Sequence, residues 1–168
     1  MKDNTTKKLI FAALLAALTC VATMIIKIPT PLGGYIHAGD AVVVLAGFLL
    51  GPVWGALAAG LGSALADVIF GYVLYAPGTF VIKAVVALLA GWLITRSFIK
   101  NEFAKALVAG IIGGAVMVGG YMLYEAVFMG FGVAAAANIP MNSIQGVFGA
   151  VAGAALYIAL SKTNYFNK

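Results

Sequence analysis

The chain has 168 residues, of which 64% are hydrophobic and only 9% are charged, and its formal net charge is +5. A soluble domain of this length needs far more charge on its surface, so the composition excludes a soluble protein and indicates an integral membrane protein. The scattered basic residues argue against nucleic-acid binding, and Cys20, the single cysteine, excludes an intramolecular disulfide and a cysteine-rich metal site.

Apolar runs and helix-breaking residues predict an all-α integral membrane protein, with six transmembrane helices in a single domain over residues 1–168. Lys7 and Lys8 precede the first run as they would in a signal peptide, but the run is long and no A-x-A site follows it, so we expect it to remain as a helix. Prolines and glycines predict a loop over residues 28–37 and a sharp turn at Gly51-Pro52. The predicted helices cover residues 9–26, 40–50, 53–70, 79–95 and 139–160, and the fifth in chain order follows the charged connection from Arg96 to Lys105 and ends near Met129.

Basic residues in short loops mark the cytoplasmic side of a membrane protein. Eight of the ten Lys and Arg residues fall in three segments, which six spans would place on one side of the membrane. We therefore predict that both termini are cytoplasmic and that Trp54 and Trp92 lie near the inner interface. The eight basic residues are Lys2, Lys7, Lys8, Arg96, Lys100, Lys105, Lys162 and Lys168.

Six polar or ionisable side chains lie within the predicted helices, where few are tolerated. The predicted topology places all of them near the outer face of the membrane. Because a charge inside a bilayer is costly unless it is paired or hydrated, these side chains should face a shared interior rather than lipid. They are Asp40, Asp67, Lys83, Glu125, Asn142 and Gln145.

Individual members of this group have alternative roles. Asp67 and Lys83 are candidates for an ion pair, although Lys83 could instead contact a ligand. Asp40 begins a helix, so its carboxylate could cap that helix or bind a ligand. A cavity-lining role is expected for the three residues that have no obvious local partner, Glu125, Asn142 and Gln145.

Aromatic side chains surround the same layer. Tyrosines near a membrane interface are often only anchors, but several here border the polar group, and aromatic faces beside hydrogen-bonding groups suit a small, flat, polar heterocycle. His37 is the single histidine, so a hydrogen bond to a ligand or to Asp40 is expected there rather than a metal. The other residues expected at the pocket are Tyr35, Tyr72, Tyr75, Tyr121 and Asn138.

Two further features concern energy and partners. The chain has no G-x-x-x-x-G-K-[ST] loop, so any ATP would have to be used by another protein. Small residues in the first helix form two overlapping A-x-x-x-A patterns, which either pack within the chain or let a partner helix approach closely. These residues are Ala12, Ala13, Ala16 and Ala17.

Four sequence blocks together resemble the substrate-binding S-component of an energy-coupling factor (ECF) vitamin transporter. Within that group they are most similar to the branch of the riboflavin-type superfamily that is associated with hydroxymethylpyrimidine or pyridoxine. The blocks are P-T-P-x-G-G-Y-I-x-x-G-D (Pro29 to Asp40), L-L-G-P (Leu49 to Pro52), G-S-A-L-A-D-V-I-F-G-Y (Gly62 to Tyr72) and Y-A-P-G-T-F-V-I-K (Tyr75 to Lys83).

The resemblance implies a receptor in the plasma membrane of a prokaryote that captures a vitamin from outside. It would dock on a transmembrane coupling protein that carries two cytoplasmic ATPases, which use the ATP, while this chain binds no cofactor. The alanine face of the first helix would contact the coupling protein. The loop over residues 29–39 would act as a lid, residues 71–78 would line the site, and transport would involve toppling of the whole subunit.

Two other classes of protein fit parts of the sequence. A stand-alone secondary transporter could use Asp67 or Glu125 as a proton-coupling carboxylate, although no internal repeat is visible. An intramembrane hydrolase could pair Ser63 with His37, but this serine lacks the usual G-x-S-x-G setting.

Overall fold

The computed structural model describes residues 5–163, so Lys2 and Lys168 of the topology argument lie outside the described residues. The described chain is mostly helical, and one small hairpin precedes the second helix. In chain order the elements are α1 (Thr5–Ile25), β1 (Lys27–Pro29), β2 (Tyr35–His37), α2 (Asp40–Leu50), α3 (Pro52–Ile69), α4 (Ala76–Arg96), α5 (Glu102–Leu123), a π-helical turn (Tyr124–Phe128), a 3₁₀ helix (Gly132–Asn138) and α6 (Ile139–Ser161).

Five helical segments among the described residues are long and apolar enough to cross a bilayer, namely Thr5–Ile25, Pro52–Ile69, Ala76–Arg96, Glu102–Phe128 and Gly132–Ser161. The remaining expected span, α2, has only 11 residues, so it is about 16 Å long at 1.5 Å per residue. That is roughly half the thickness of the hydrocarbon layer. Five of the six expected spans are therefore long enough to cross a bilayer, whereas the sixth, α2, is a short apolar helix and its crossing of the membrane stays a prediction.

The short helix α2 lies at the centre of the bundle, packed against α1, α3, α4 and α6. It is apolar on all sides, as expected of a helix surrounded by other helices, and Val43 and Ala46 are fully buried. Gly47 lets α4 come very close, since a Cβ atom there would lie 2.2 Å from the Ala87 carbonyl oxygen. At the end of α2, Gly51 adopts a φ of 78° and Pro52 begins α3 directly, which produces the sharp turn predicted from the sequence.

The segment expected to be a plain loop contains an antiparallel hairpin. Strands β1 and β2 pair with Lys27 opposite His37 and Pro29 opposite Tyr35. A tight turn closes the hairpin, with Thr30 N donating to the Gly34 carbonyl at 2.8 Å. The all-α prediction is wrong to this extent, because strands of three residues are too short to show an alternating pattern in the sequence.

Candidate functional site

A buried ion pair forms the base of the candidate site. The Lys83 ammonium group contacts the Asp40 carboxylate, and the two residues are 0% and 3% exposed. Lys83 Nζ also lies 3.0 Å from Met117 Sδ and 5.3 Å from the centre of the Tyr121 ring. The predicted pairing of Lys83 with Asp67 is wrong, because α2 and α4 cross closely and bring Asp40 to Lys83 instead.

The carboxylate of Asp40 does not cap its own helix. The N-cap position of α2 is Gly39, and no side chain caps it. The second carboxylate oxygen, Oδ2, accepts a hydrogen bond from Gln145 Nε2 at 3.1 Å. Of the two roles left open for Asp40, helix capping is therefore excluded, and the carboxylate joins α2, α4 and α6.

Gln145 connects this ion pair to the hairpin. Its Oε1 accepts a hydrogen bond from the backbone N–H of His37 at 2.9 Å. The His37 ring does not bond to Asp40; its Nδ1 accepts from Gly39 N at 3.1 Å. Burial lowers the pKa of His37 to about 3, with Lys83 adding to the effect and Asp40 opposing it. The imidazole is therefore neutral at pH 7.

Asp67 is held by the hairpin rather than by a cation. Tyr35 donates its hydroxyl to Asp67 Oδ1 at 2.7 Å, while Oδ2 is buried without a hydrogen-bond partner. Burial and the nearby carboxylate raise the pKa of Tyr35, so its hydroxyl remains a donor. The hydroxyl of Thr79, which also lines the cavity, forms a 3.0 Å hydrogen bond with Tyr121.

Glu125 lies in the π-helical turn that follows α5, a type of distortion frequent at functional sites. Its Oε1 accepts from Tyr75 Oη at 3.2 Å and from Asn138 Nδ2 at 2.9 Å. Its Oε2 is buried without a partner. Asn138 Oδ1 accepts in turn from Leu32 N at 3.4 Å, so the hairpin turn also contacts this side of the site.

These groups surround one small cavity beneath the hairpin. Its free volume is about 20 Å³, which is room for about one water molecule. Eight of the twelve residues expected at a pocket line it, and they come from the hairpin, α3, the segment before α4, α5, the π-helical turn and α6. The eight are Tyr35, His37, Asp67, Tyr75, Tyr121, Glu125, Asn142 and Gln145.

The other four expected residues support the cavity wall from outside. Asp40 and Asn138 form hydrogen bonds with two residues that line it, Gln145 and Glu125, and Lys83 pairs with Asp40 behind them. The Tyr72 ring lies 4.7 Å from the Tyr35 ring, centre to centre. Of the expected residues, these are the ones that do not reach the cavity themselves.

Sequence reasoning missed Thr30, Gly34 and Thr79, which also line the cavity. Thr79 lies four residues before Lys83 on one face of α4, a spacing that could have indicated it. Thr30 and Gly34 are brought to the cavity by the hairpin turn, which the sequence did not reveal.

The alanines of α1 divide into two rows. Ala12 is 7% exposed and belongs to the core, and Ala16 faces α3, where a Cβ on Gly62 would lie 2.3 Å from its carbonyl oxygen. Ala13 and Ala17 are exposed. Only the second row is open to a partner in this conformation, while the first row packs within the chain.

The structure also bears on the hydrolase hypothesis and on metal binding. Ser63 is fully buried and does not line the cavity that His37 lines, so the two do not form a hydrolase dyad. Within residues 5–163 there is no group of three or more His, Cys, Asp or Glu side chains that could hold a metal ion.

Comparison with known proteins places the chain in a family. The family model described as "ECF-type riboflavin transporter, S component" matches residues 3–162. A relative from Pyrococcus woesei, described as "Uncharacterized protein in gap 3'region", is 38% identical over 143 residues, which are 84% of this chain and 93% of the relative.

A solved structure described as "Structure and mechanism of the S component of a bacterial ECF transporter" shares the fold. It superposes with a TM-score of 0.69 at 24% identity and covers 95% of this chain and 98% of its own. Since the family model spans nearly the whole chain, the protein belongs to the S-component family of ECF-type transporters and is a membrane-embedded, substrate-binding subunit rather than a known type of enzyme.

Proposed function

We propose that this subunit captures a small heteroaromatic vitamin at the outer face of a prokaryotic plasma membrane. The proposed substrate is a vitamin B6-type pyridine or the similar hydroxymethylpyrimidine. The observation that carries the proposal is the cavity beneath the hairpin, where carboxylate, amide and hydroxyl groups alternate with tyrosine rings. Such a wall suits a flat ring bearing hydroxymethyl or amino substituents.

Binding of such a ring requires the hairpin to move. The free volume of about 20 Å³ holds about one water molecule, far less than a pyridine ring with its substituents. The contacts that would have to break are few: Tyr35 to Asp67, Gln145 to the His37 backbone, and the Leu32 contacts. We therefore assign residues 29–39 as a lid and residues 71–78 as a part of the site that the lid covers.

The same proposal includes the partners. The subunit docks on an ECF transmembrane coupling protein that carries two ATPases, and those ATPases use ATP while this chain binds no cofactor. The exposed row of Ala13 and Ala17 supports a docking face on α1, because small side chains let a second helix approach closely. Six membrane crossings, cytoplasmic termini and toppling of the subunit on its partner complete this proposal.

The substrate is tested by titration calorimetry of the purified protein against pyridoxine, pyridoxal, hydroxymethylpyrimidine and riboflavin. Glu125→Ala and Asn142→Ala should each weaken binding by about tenfold or more, because each removes a polar group from the cavity wall. Ser143→Ala is the matched control, since Ser143 neighbours Asn142 but is exposed. Binding of riboflavin alone would overturn the proposed substrate. Unchanged affinity in both variants would overturn the proposed site.

Docking is tested separately. Ala13→Leu should reduce co-purification with the coupling protein while leaving vitamin affinity unchanged, and equal loss of both would contradict the assignment of this face. Uptake into vesicles that is driven by a proton gradient, without ATP or partner proteins, would instead favour a secondary transporter.

A further inference from the structure

We propose that the substrate carries a protonated amine, which binds between the free carboxylate oxygens of Asp67 and Glu125. This inference rests on the function proposed above and narrows its substrate class. It follows from the balance of charges and of hydrogen-bond donors around the cavity.

The charges around the cavity do not balance. Three carboxylates line or adjoin it, those of Asp40, Asp67 and Glu125. Among the described residues the buried cation at this site is Lys83, and it is paired with Asp40. His37 is neutral, as described above. Within residues 5–163 no Lys or Arg side chain forms an ion pair with Asp67 or Glu125.

A second basic side chain near the site in the described part of the chain, Lys27, contacts aromatic rings. Its Nζ lies 4.6 Å from the centre of the Phe70 ring, 5.0 Å from that of Tyr72 and 5.5 Å from that of Tyr35. It is exposed on the hairpin, and its charge is stabilised by ring faces rather than by a carboxylate. Two buried carboxylates at the cavity therefore lack a cationic partner among the described residues.

The hydrogen bonds show the same deficit. Asp67 Oδ2, Glu125 Oε2 and Thr30 Oγ1 are buried without a partner, and all three residues line the cavity. They are 5%, 2% and 8% exposed. Each carboxylate is already held through its other oxygen by a tyrosine hydroxyl, so its orientation is fixed while one oxygen remains free.

All three free atoms can accept a hydrogen bond, and the two carboxylate oxygens can do nothing else while ionised. An ammonium group offers three N–H donors and a positive charge, whereas a hydroxyl offers one donor and no charge. Hydrogen bonds between charged partners are about twice as strong as neutral ones, and the bordering tyrosine rings also favour a cation. A protonated amine on the substrate would therefore supply both the missing positive charge and the missing hydrogen-bond donors.

The test compares ligands that differ in one group. Pyridoxamine and pyridoxine share a ring and differ in an aminomethyl or hydroxymethyl substituent. The 5-aminomethyl and 5-hydroxymethyl forms of 4-amino-2-methylpyrimidine form a second pair. Calorimetry of the unmodified protein at pH 7 should give at least about tenfold tighter binding of the amine in whichever ring is accepted.

The variant Glu125→Gln keeps the shape of the side chain and removes its charge. It should bring the ratio of the affinities for the amine and the hydroxymethyl form close to one. It should weaken the binding of the amine much more than the binding of the hydroxymethyl form, and Ser143→Ala should change neither affinity. Equal or tighter binding of the hydroxymethyl form by the unmodified protein would overturn this inference and leave the proposed function intact. Failure of all four ligands to bind would overturn the proposed substrate class and this inference with it.

Discussion

Removal of the positive charge of Lys83 should destabilise the fold strongly. In Lys83→Met the Asp40 carboxylate would stay buried without its cation, and only the hydrogen bond from Gln145 would remain. Breaking a buried pair on one side costs about 3–5 kcal/mol. The double variant Asp40→Asn with Lys83→Met buries no charge. Its loss of unfolding free energy should therefore be at least about 2 kcal/mol smaller than the sum of the losses in the two single variants.

The measurement is reversible unfolding in mixed micelles, followed by the fluorescence of Trp54 and Trp92. The matched control is Lys105→Met, which breaks an ion pair of 2.6 Å whose side chains are 16% and 54% exposed. An exposed pair contributes less than about 1 kcal/mol, so this variant should differ little from the unmodified protein. Equal losses for Lys83→Met and Lys105→Met, or strict additivity in the double variant, would refute the reasoning.

Two further predictions concern packing and pH. Gly62→Val should lower the free energy of unfolding by about 1–3 kcal/mol, because a Cβ there would lie 2.3 Å from the Ala16 carbonyl oxygen. Leu61→Val on the exposed side of α3 is the control, and equal stability of the two variants would contradict the close approach. His37 has a folded pKa of about 3, below its unfolded value, so its stabilising effect is complete above about pH 6.5 and declines as the pH falls. Because of this group, the free energy of unfolding should be about 2 kcal/mol higher at pH 7 than at pH 5. His37→Gln should remove that part of the difference between the two pH values. An unchanged difference would show that His37 is not its source.

The sequence predicted helix boundaries well where glycines and prolines mark both ends of a helix. The predicted range of α2 matches the observed Asp40–Leu50, because glycines and prolines bound a run that is apolar on all sides. The hairpin was missed, since prolines in a strand argue against it and its strands have only three residues each.

The partner of Lys83 shows where sequence reasoning stops. The predicted topology places Asp40 and Asp67 at the same depth in the membrane, so either carboxylate could pair with Lys83 as far as topology is concerned. The choice depends on how α2 and α4 are rotated about their axes where they pack closely, as they do at Gly47 and Ala87. Rotation of this kind depends on packing between distant segments, and a single sequence does not reveal it.

The shortness of α2 has a geometric consequence for the whole protein. At about 16 Å, α2 falls about 14 Å short of the thickness of the hydrocarbon layer. At its N-terminal end the chain fills the missing length with the hairpin and the cavity beneath it. The volume that a helix of full length would occupy thus contains a recess, and any molecule that entered it would first have to lose its hydration shell.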